Sequence, residues 1–371
     1  MNKAKSPVVR AIDAGYGLTK STLDVLEDGT IVCGHFASLA VSSDPQTMRS
    51  LNIRQRNTVD VTVDGAQFEV GPDILQAQTG NDVGREIGEN WTQAPNYKAI
   101  MLGALHYMNQ EVIDLLVLGL PVNQYLSEDR INRLRDAYKG THALPNGKSV
   151  KVKDVLVQPQ PFGGYMDMAD HLDDINALIA AKRKKHLDEE GVDIGLDQIK
   201  SPDDLMGNHC ILVVDPGEYT LDWLLVDRGG INTKASGAAS DSGRHRVVND
   251  VVRVLAQDLG RDIPPANLSR INDALRTGSV LKLGGKVVDL KKYSTVISQS
   301  VLDPISRLLE GLRGLEDRID IILLVGGHPA IYESELAKRF PYTPIFLPPE
   351  SLYANVRGFQ QTGEAKILAA G

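Results

Sequence analysis

The sequence predicts an α/β protein built from two related halves. Strand-like and helix-like segments alternate along the whole chain. An apolar strand, an aspartate and a glycine turn occur in "VVRAIDAGYGLTK" (8–20) and again in "ILVVDPGEYTLDWLL" (211–225). Finally, 371 residues exceed the size at which a single core keeps growing.

Residues 8–12 read as a strand, and the Gly-Tyr-Gly turn after Asp13 leads into a second, "TKSTLDVLE". "EDGT" at 27–30 turns the chain into a third, "IVCGHFASLAV". "NTVDVTVDGAQFEVGPDIL" is a hairpin that stops at Gly71 and Pro72, and the polar, Gly-rich residues 74–95 are expected to be loop. Residues 97–109 carry apolar side chains at helical spacing and precede the buried-type strand "DLLVLGLPV". "SEDRINRLRDAYKG" predicts an amphipathic helix, with Ser127 as N-cap, Glu128 and Asp129 in the first turn and Gly140 as C-cap. "KVKDVLVQPQPFGGYMDM" gives a strand ending in a Pro/Gly-rich bend, followed by a helix near 166–187. The charged residues 184–209 read as a surface loop or partly helical insertion. Beyond them lie a strand hairpin (211–226), a Gly/Ser-rich loop (229–243), a helix (247–259), a turn plus hairpin (278–290) and a long helix (292–313). "DIILLVGG" is a buried strand, and "IYESELAKRF", "TPIFLP" and "YANVRGFQQTGEAKILA" close the chain as helix, strand and helix.

Composition excludes several functions. Lys and Arg total 40 against 48 Asp and Glu, a net charge of −8. A chain that coats nucleic acid by itself needs a basic surface, so any link to DNA runs through an adaptor. Cys33 and Cys210 are too few for a disulfide framework or a zinc site. The N-terminus has no apolar segment of the secretory kind, and no apolar run approaches the roughly 20 residues of a membrane span. The expectation is a cytoplasmic protein with no membrane association. No Walker A or Gly-x-Ser-x-Gly sequence occurs.

The two hairpins share a chemical logic. Glycine at a turn lets backbone amides approach an anion, because no Cβ stands in the way. A carboxylate beside that anion is unfavourable unless a divalent cation lies between them. Magnesium is held by one or two carboxylates, water and phosphate. Asp13 and Asp215 therefore read together as a magnesium–phosphate clamp, with Gly15, Tyr16 and Gly17 forming one turn and Gly217, Glu218, Tyr219 and Thr220 the other. "IILLVGGHPAIY" (321–332) adds a strand, the glycines 326 and 327 and a helix start, an arrangement in which backbone lies flat against a nucleotide.

The order and spacing of these elements resemble the actin-like ATPases, and within them the plasmid-segregation actins of the ParM/StbA type. That branch also holds the actin-like member of PRTRC plasmid gene clusters. "AIDAGYGLTK" resembles the first phosphate loop, "VVDPGEYTLDWLLV" the second, and "LLVGGHPAIY" the adenosine-contacting turn. "YKAIMLGAL", "LVLGLPVNQY" and "YANVRGFQ" are similar to stretches of this branch. The resemblance implies the actin/Hsp70/sugar-kinase (ribonuclease H-like) fold, two related domains around a nucleotide cleft. Domain I would comprise 1–165 plus 351–371, and domain II 166–350, with the charged insertion at 184–209. It implies ATP and Mg²⁺ as ligands, slow hydrolysis coupled to filament turnover, self-association and a ParR-like adaptor at a centromere-like DNA site. ATP over GTP follows from the resemblance alone.

Three positions depart from the family pattern. Gln160 stands where a glutamate commonly positions or deprotonates the attacking water; an amide is no base, but it orients a water by hydrogen bonding. Its other reading is an ordinary polar bend residue. Glu218 stands where glycine is usual, adding a carboxylate beside phosphate. His328 follows only two glycines, and either stacks near the adenine or ribose or simply faces solvent. Lys20 reaches a phosphate or is a solvated strand lysine. Gly243 and Arg244 either line the sugar and phosphates or sit in a plain flexible loop. Asp222 lies near the metal or is a satisfied structural carboxylate. A non-polymerising ATP-gated scaffold and a small-molecule kinase share the nucleotide site; a kinase would draw its catalytic carboxylate from Asp167, Asp170 or Asp222. Trp91 and Trp223 read as core.

Overall fold

An apolar run closed by a glycine turn folds into an antiparallel hairpin, β1 (Val9–Ala14) with β2 (Leu18–Val25), extended by β3 (Ile31–Ala37). The computed structural model describes residues 6–43, 56–77, 88, 90–193, 195–264, 267–327 and 329–370. Their contacts divide the chain into two compact units, Met1–Met166 with Asn355–Gly371, and Asp167–Ala354.

In the first unit a small sheet follows, β4 (Val41–Ser42), β5 (Val59–Val63) and β6 (Ala66–Val70), in the order β4-β6-β5. Asp64 and Gly65 turn the β5–β6 hairpin with φ of +50° and +85°, the left-handed pair that Asp-Gly supplies. Next come α1 (Pro95–Tyr107), β7 (Val112–Leu120), α2 (Val122–Tyr125), α3 (Glu128–Tyr138), β8 (Gly140–Ala143), β9 (Ser149–Pro159) and α4 (Gln160–Asp167). The main sheet runs β3-β2-β1-β7-β9-β8, with β1, β7 and β9 parallel at its centre. β1 is buried along its whole length and β7 over all but its start, as central parallel strands must be.

The expected Pro/Gly bend after β9 is instead helical from Gln160. Pro161 falls in the first turn, where a missing N–H removes no helix bond. Gly163 is needed for packing: a Cβ there would lie 2.1 Å from the Asn355 backbone oxygen and 2.7 Å from its carbonyl carbon. Gly163→Ala is therefore expected to lower the unfolding free energy by about 1–3 kcal/mol, the usual cost of overpacking, read by chemical denaturation.

The second unit opens with α5 (Leu172–Glu190) and α6 (Pro202–Asn208). The charged insertion thus begins inside α5, which ends at Gly191 with φ +68°. Arg183 clips the following segment through Asp193 (2.7 Å) and Asp197 (2.9 Å), and the Asn176 amide exchanges two hydrogen bonds with the Ile199 backbone. Then follow β10 (Cys210–Pro216), β11 (Leu221–Asp227), β12 (Gly230–Ile231), β13 (Gly237–Ala239), α7 (Arg244–Leu259), α8 (Leu268–Thr277), β14 (Leu281–Leu283) and β15 (Lys286–Val288). The long helix expected at 292–313 is two, α9 (Ser294–Ser300) and α10 (Leu302–Leu312), parted at Val301 with Pro304 in the first turn of α10. The sequence reading missed α8. β16 (Ile321–Leu324), α11 (Ala330–Arg339) and β17 (Ile345–Phe346) complete the sheet β12-β11-β10-β16-β17, with β10, β16 and β17 parallel.

The last helix, α12 (Ala354–Ala370), returns to the first unit. Phe359 and Gln360 are buried there; Gln360 donates to the Val9 carbonyl (3.1 Å) and accepts from Thr22 (2.9 Å). Trp91 and Trp223 are both core residues. Among the described residues no helix is long and apolar enough to cross a membrane.

Candidate functional site

Each unit places one aspartate at the carboxyl end of its first parallel strand, the edge at which open α/β sheets bind ligands. The two hairpins have equal turns, from Ala14 to Thr19 and from Pro216 to Leu221. Each is closed by the same bond: Gly15 N–H to Leu18 O (3.1 Å) and Gly217 N–H to Thr220 O (2.9 Å).

In the first unit Asp13 is 1% exposed, and both of its oxygens are engaged. Lys20, its cross-strand partner, lies 2.7 Å from Oδ2, and Gln160 Nε2 donates to Oδ1 at 2.7 Å. Lys20 is thus no solvated strand lysine, and Gln160 is no idle polar residue: the start of α4 delivers its amide to the carboxylate. The turn is braced from below by Ser38, which donates from its amide to Gly17 O (2.9 Å) and from its hydroxyl to Gly15 O (2.6 Å). Tyr16 leaves the turn to donate to Gly88 O (3.1 Å) and to pack its ring 5.3 Å from Trp91, which meets Tyr97 edge-on at 4.8 Å. Burial, and secondarily the Asp13 charge, push the Tyr97 phenol above its ordinary pKa. Sequence reasoning missed Ser38 and Tyr97, whose surroundings arise only once β3 and α1 pack.

In the second unit Asp215 stands opposite Asp222, where the first unit has Asp13 opposite Lys20. Both carboxylates are buried, and Asp222 accepts from the Thr220 hydroxyl at 2.5 Å. Gly326, at φ +89°, passes so close that a Cβ would sit 2.5 Å from Asp215 Oδ1. The backbone of Gly326 therefore passes directly against this carboxylate. Gly327 brings the same turn towards Arg244, whose Nη1 would lie 3.2 Å from an added Cβ. His328 lies outside the described residues.

Glu218 does not stand loose beside the turn but forms an ion pair with Arg244, the first residue of α7. Tyr219 stacks on His245 with ring centres 4.8 Å apart. Gly243 is required at the junction, since a Cβ would come within 2.5 Å of the Glu218 carbonyl. The segment 242–245 is thus packed against the turn rather than forming a plain flexible loop. The first unit accordingly gathers Asp13, Gly15, Tyr16, Gly17, Lys20 and Gln160. The second gathers Asp215, Gly217, Glu218, Tyr219, Thr220, Gly243, Arg244, Gly326 and Gly327. Asp167 is buried near His171 (3.6 Å) and Asp170 is exposed, neither at these turns.

Among the described residues no group of three or more His, Cys, Asp or Glu converges to hold a metal. Asp13 in the first unit and Asp215 in the second each fit a cation that brings water and phosphate as its other ligands, because a carboxylate oxygen can accept from a metal-bound water beyond the bonds it already makes.

Residues 11–163 match the family model described as the N-terminal domain of actin-like proteins, and residues 213–338 that of the C-terminal part of the archaeal actin homologue MreB-like. No curated protein sequence matches the chain. Among solved structures, the archaeal actin homologue Ta0583 superposes with a TM-score of 0.70 at 17% identity, over 96% of this chain and 99% of that one. Its ADP complex gives 0.69 at 18%, over 96% and 99%. ParM from a 15-stranded filament of Clostridium botulinum gives 0.67 at 15%, over 97% and 99%. With one model matched in each unit and the solved structures superposing end to end, the chain has the actin-like fold.

Proposed function

We propose that this actin-like protein binds ATP with magnesium, hydrolyses it slowly and assembles into nucleotide-dependent filaments. The observation that carries the reading is the pair of equal hairpins, each ending a central strand in a buried aspartate beside a glycine turn. Nucleotide as the ligand is supported by Ta0583, an actin homologue solved with ADP; filaments are supported by ParM and Alp12, solved in filament form.

On this reading the two turns hold the phosphates of one nucleotide, and the glycines 326 and 327 pass its nucleoside. Magnesium, held through water by Asp13 and Asp215, would offset the phosphate charge. Losing the terminal phosphate removes a contact shared by both hairpins, so the two nucleotide states differ in the conformation they favour. A surface complementary to a different face of an identical subunit then propagates as an open filament. With a net charge of −8, partition of plasmid DNA would require a basic adaptor at the centromere-like site.

Electron microscopy and light scattering with ATP, ADP and no nucleotide test the filament, and phosphate release tests turnover. Absence of ATP-dependent polymer would remove the filament, and absence of phosphate release the ATPase. Gln160 has a narrower role. With one Nε2 hydrogen on Asp13, its carbonyl oxygen and its second amide hydrogen are what it offers a water. Gln160→Ala is expected to slow single-turnover phosphate release on the order of 10²-fold through lost positioning, with ATP affinity retained.

A further inference from the structure

Glu218 puts a carboxylate into a turn where backbone is meant to meet phosphate, and its partner explains how it is tolerated. The side chains of Glu218 and Arg244 are 12% and 8% exposed. A guanidinium so withdrawn from water requires an opposite charge on its donors, and Glu218 supplies it. The backbone holds the two in place. Ser242 N–H (3.1 Å) and Gly243 N–H (3.0 Å) donate to Tyr219 O, Arg244 N–H to Gly217 O (3.0 Å) and His245 N–H to Glu218 O (2.9 Å).

This zipper has a chemical consequence. The first amides of α7, which would otherwise bind an anion, are spent on the carbonyls of the turn. What the helix start adds beside Glu218 is the Arg244 guanidinium. That guanidinium stands between the Gly217 turn and Gly327, the two backbone surfaces assigned above to phosphate and nucleoside.

We propose that Glu218 is a resident anion which competes with the nucleotide for Arg244. Without nucleotide the carboxylate pairs with the guanidinium; on binding, a phosphate oxygen takes its place and Glu218 turns out. The proposal rests on the reading that this site takes a nucleotide. It makes Glu218 an affinity-setting residue, one that weakens binding by the work of breaking its own ion pair. By linkage, the nucleotide weakens the pair by the same factor.

Calorimetric titration of ATP and ADP, with magnesium, into the full chain tests this. Glu218→Gln is expected to tighten both by roughly tenfold, within the ordinary range of site coupling. Arg244→Gln is expected to weaken both by a similar factor, and Glu218→Gln to add nothing in the Arg244→Gln background. Glu218→Asp, which keeps the charge but draws it back by one methylene, should tighten binding to an intermediate degree. It serves as the readout if Glu218→Gln fails to fold. Melting of the nucleotide-free proteins separates the alternatives: a carboxylate that is only a strut would lower Tm when removed, with affinity unchanged or lost, and either result overturns the competition. If the wild type binds ATP and ADP while the variants show no gain, the competitor alone is wrong. If the wild type binds neither nucleotide, the functional reading fails and takes the competitor with it.

Discussion

Asp13→Ala is expected to abolish phosphate release and to cost about 3–5 kcal/mol of stability, the range for breaking a buried pair by removing one partner. The size follows from what the carboxylate leaves behind. Lys20 has a side chain 13% exposed, and its ammonium would lose a partner 2.7 Å away; the Gln160 amide would lose its acceptor as well. A cycle separates the two effects. Asp13→Ala combined with Lys20→Met removes both charges, so stability is expected to recover in large part while turnover stays lost. Denaturant titration and phosphate release on the four proteins decide it. Retained turnover in either Asp13 variant would show that the carboxylate serves the fold alone.

Gly243→Ala carries the second large effect. The new methyl would meet the Glu218 carbonyl at 2.5 Å and the Tyr219 carbonyl carbon at 2.6 Å, and neither is the end of a flexible side chain. Gly243 has φ −86°, so the backbone conformation itself suits alanine and the damage is steric. The turn must part from α7, at about 1–3 kcal/mol in denaturation. ATP affinity is expected to fall on the order of 10²-fold, because residues on both sides of the junction lose their positions. Gly260 at the other end of α7 is the control. Its φ is +64° and an added Cβ meets nothing within 4 Å, so Gly260→Ala should cost roughly 1–2 kcal/mol of backbone strain with affinity unchanged. Equal loss of affinity in both variants would mean that binding follows helix stability rather than the junction.

Much of this architecture is legible in the residues. Strand, aspartate and glycine turn are local signals, so the Asp13 and Asp215 hairpins and the glycine turn after β16 can be read one after another. Partners distant in sequence are a different matter. Gln160 reaches Asp13 across 147 residues and Glu218 reaches Arg244 across 26, and no period or propensity encodes either approach. Helical Gly163 shows the same limit from the other side. Pro and Gly in "PQPFGG" signal a bend, but the close passage of the Asn355 backbone makes glycine the residue that lets α4 pack. At 292–313 the apolar spacing runs unbroken while Pro304 marks the restart of a helix, and periodicity alone cannot tell one long rod from two short ones.

The closure of α12 onto β1 and β2 sets an order of events at the ribosome. Residues 1–166 are translated before the second unit, yet the helix that brings Gln360 to Val9 and Thr22 is translated after it. The contiguous second unit has all of its strands and core before that helix exists. Of the two units, the one begun earlier is therefore the one completed later, and a chain cut just before α12 would carry every strand of the second unit attached to an unsealed first.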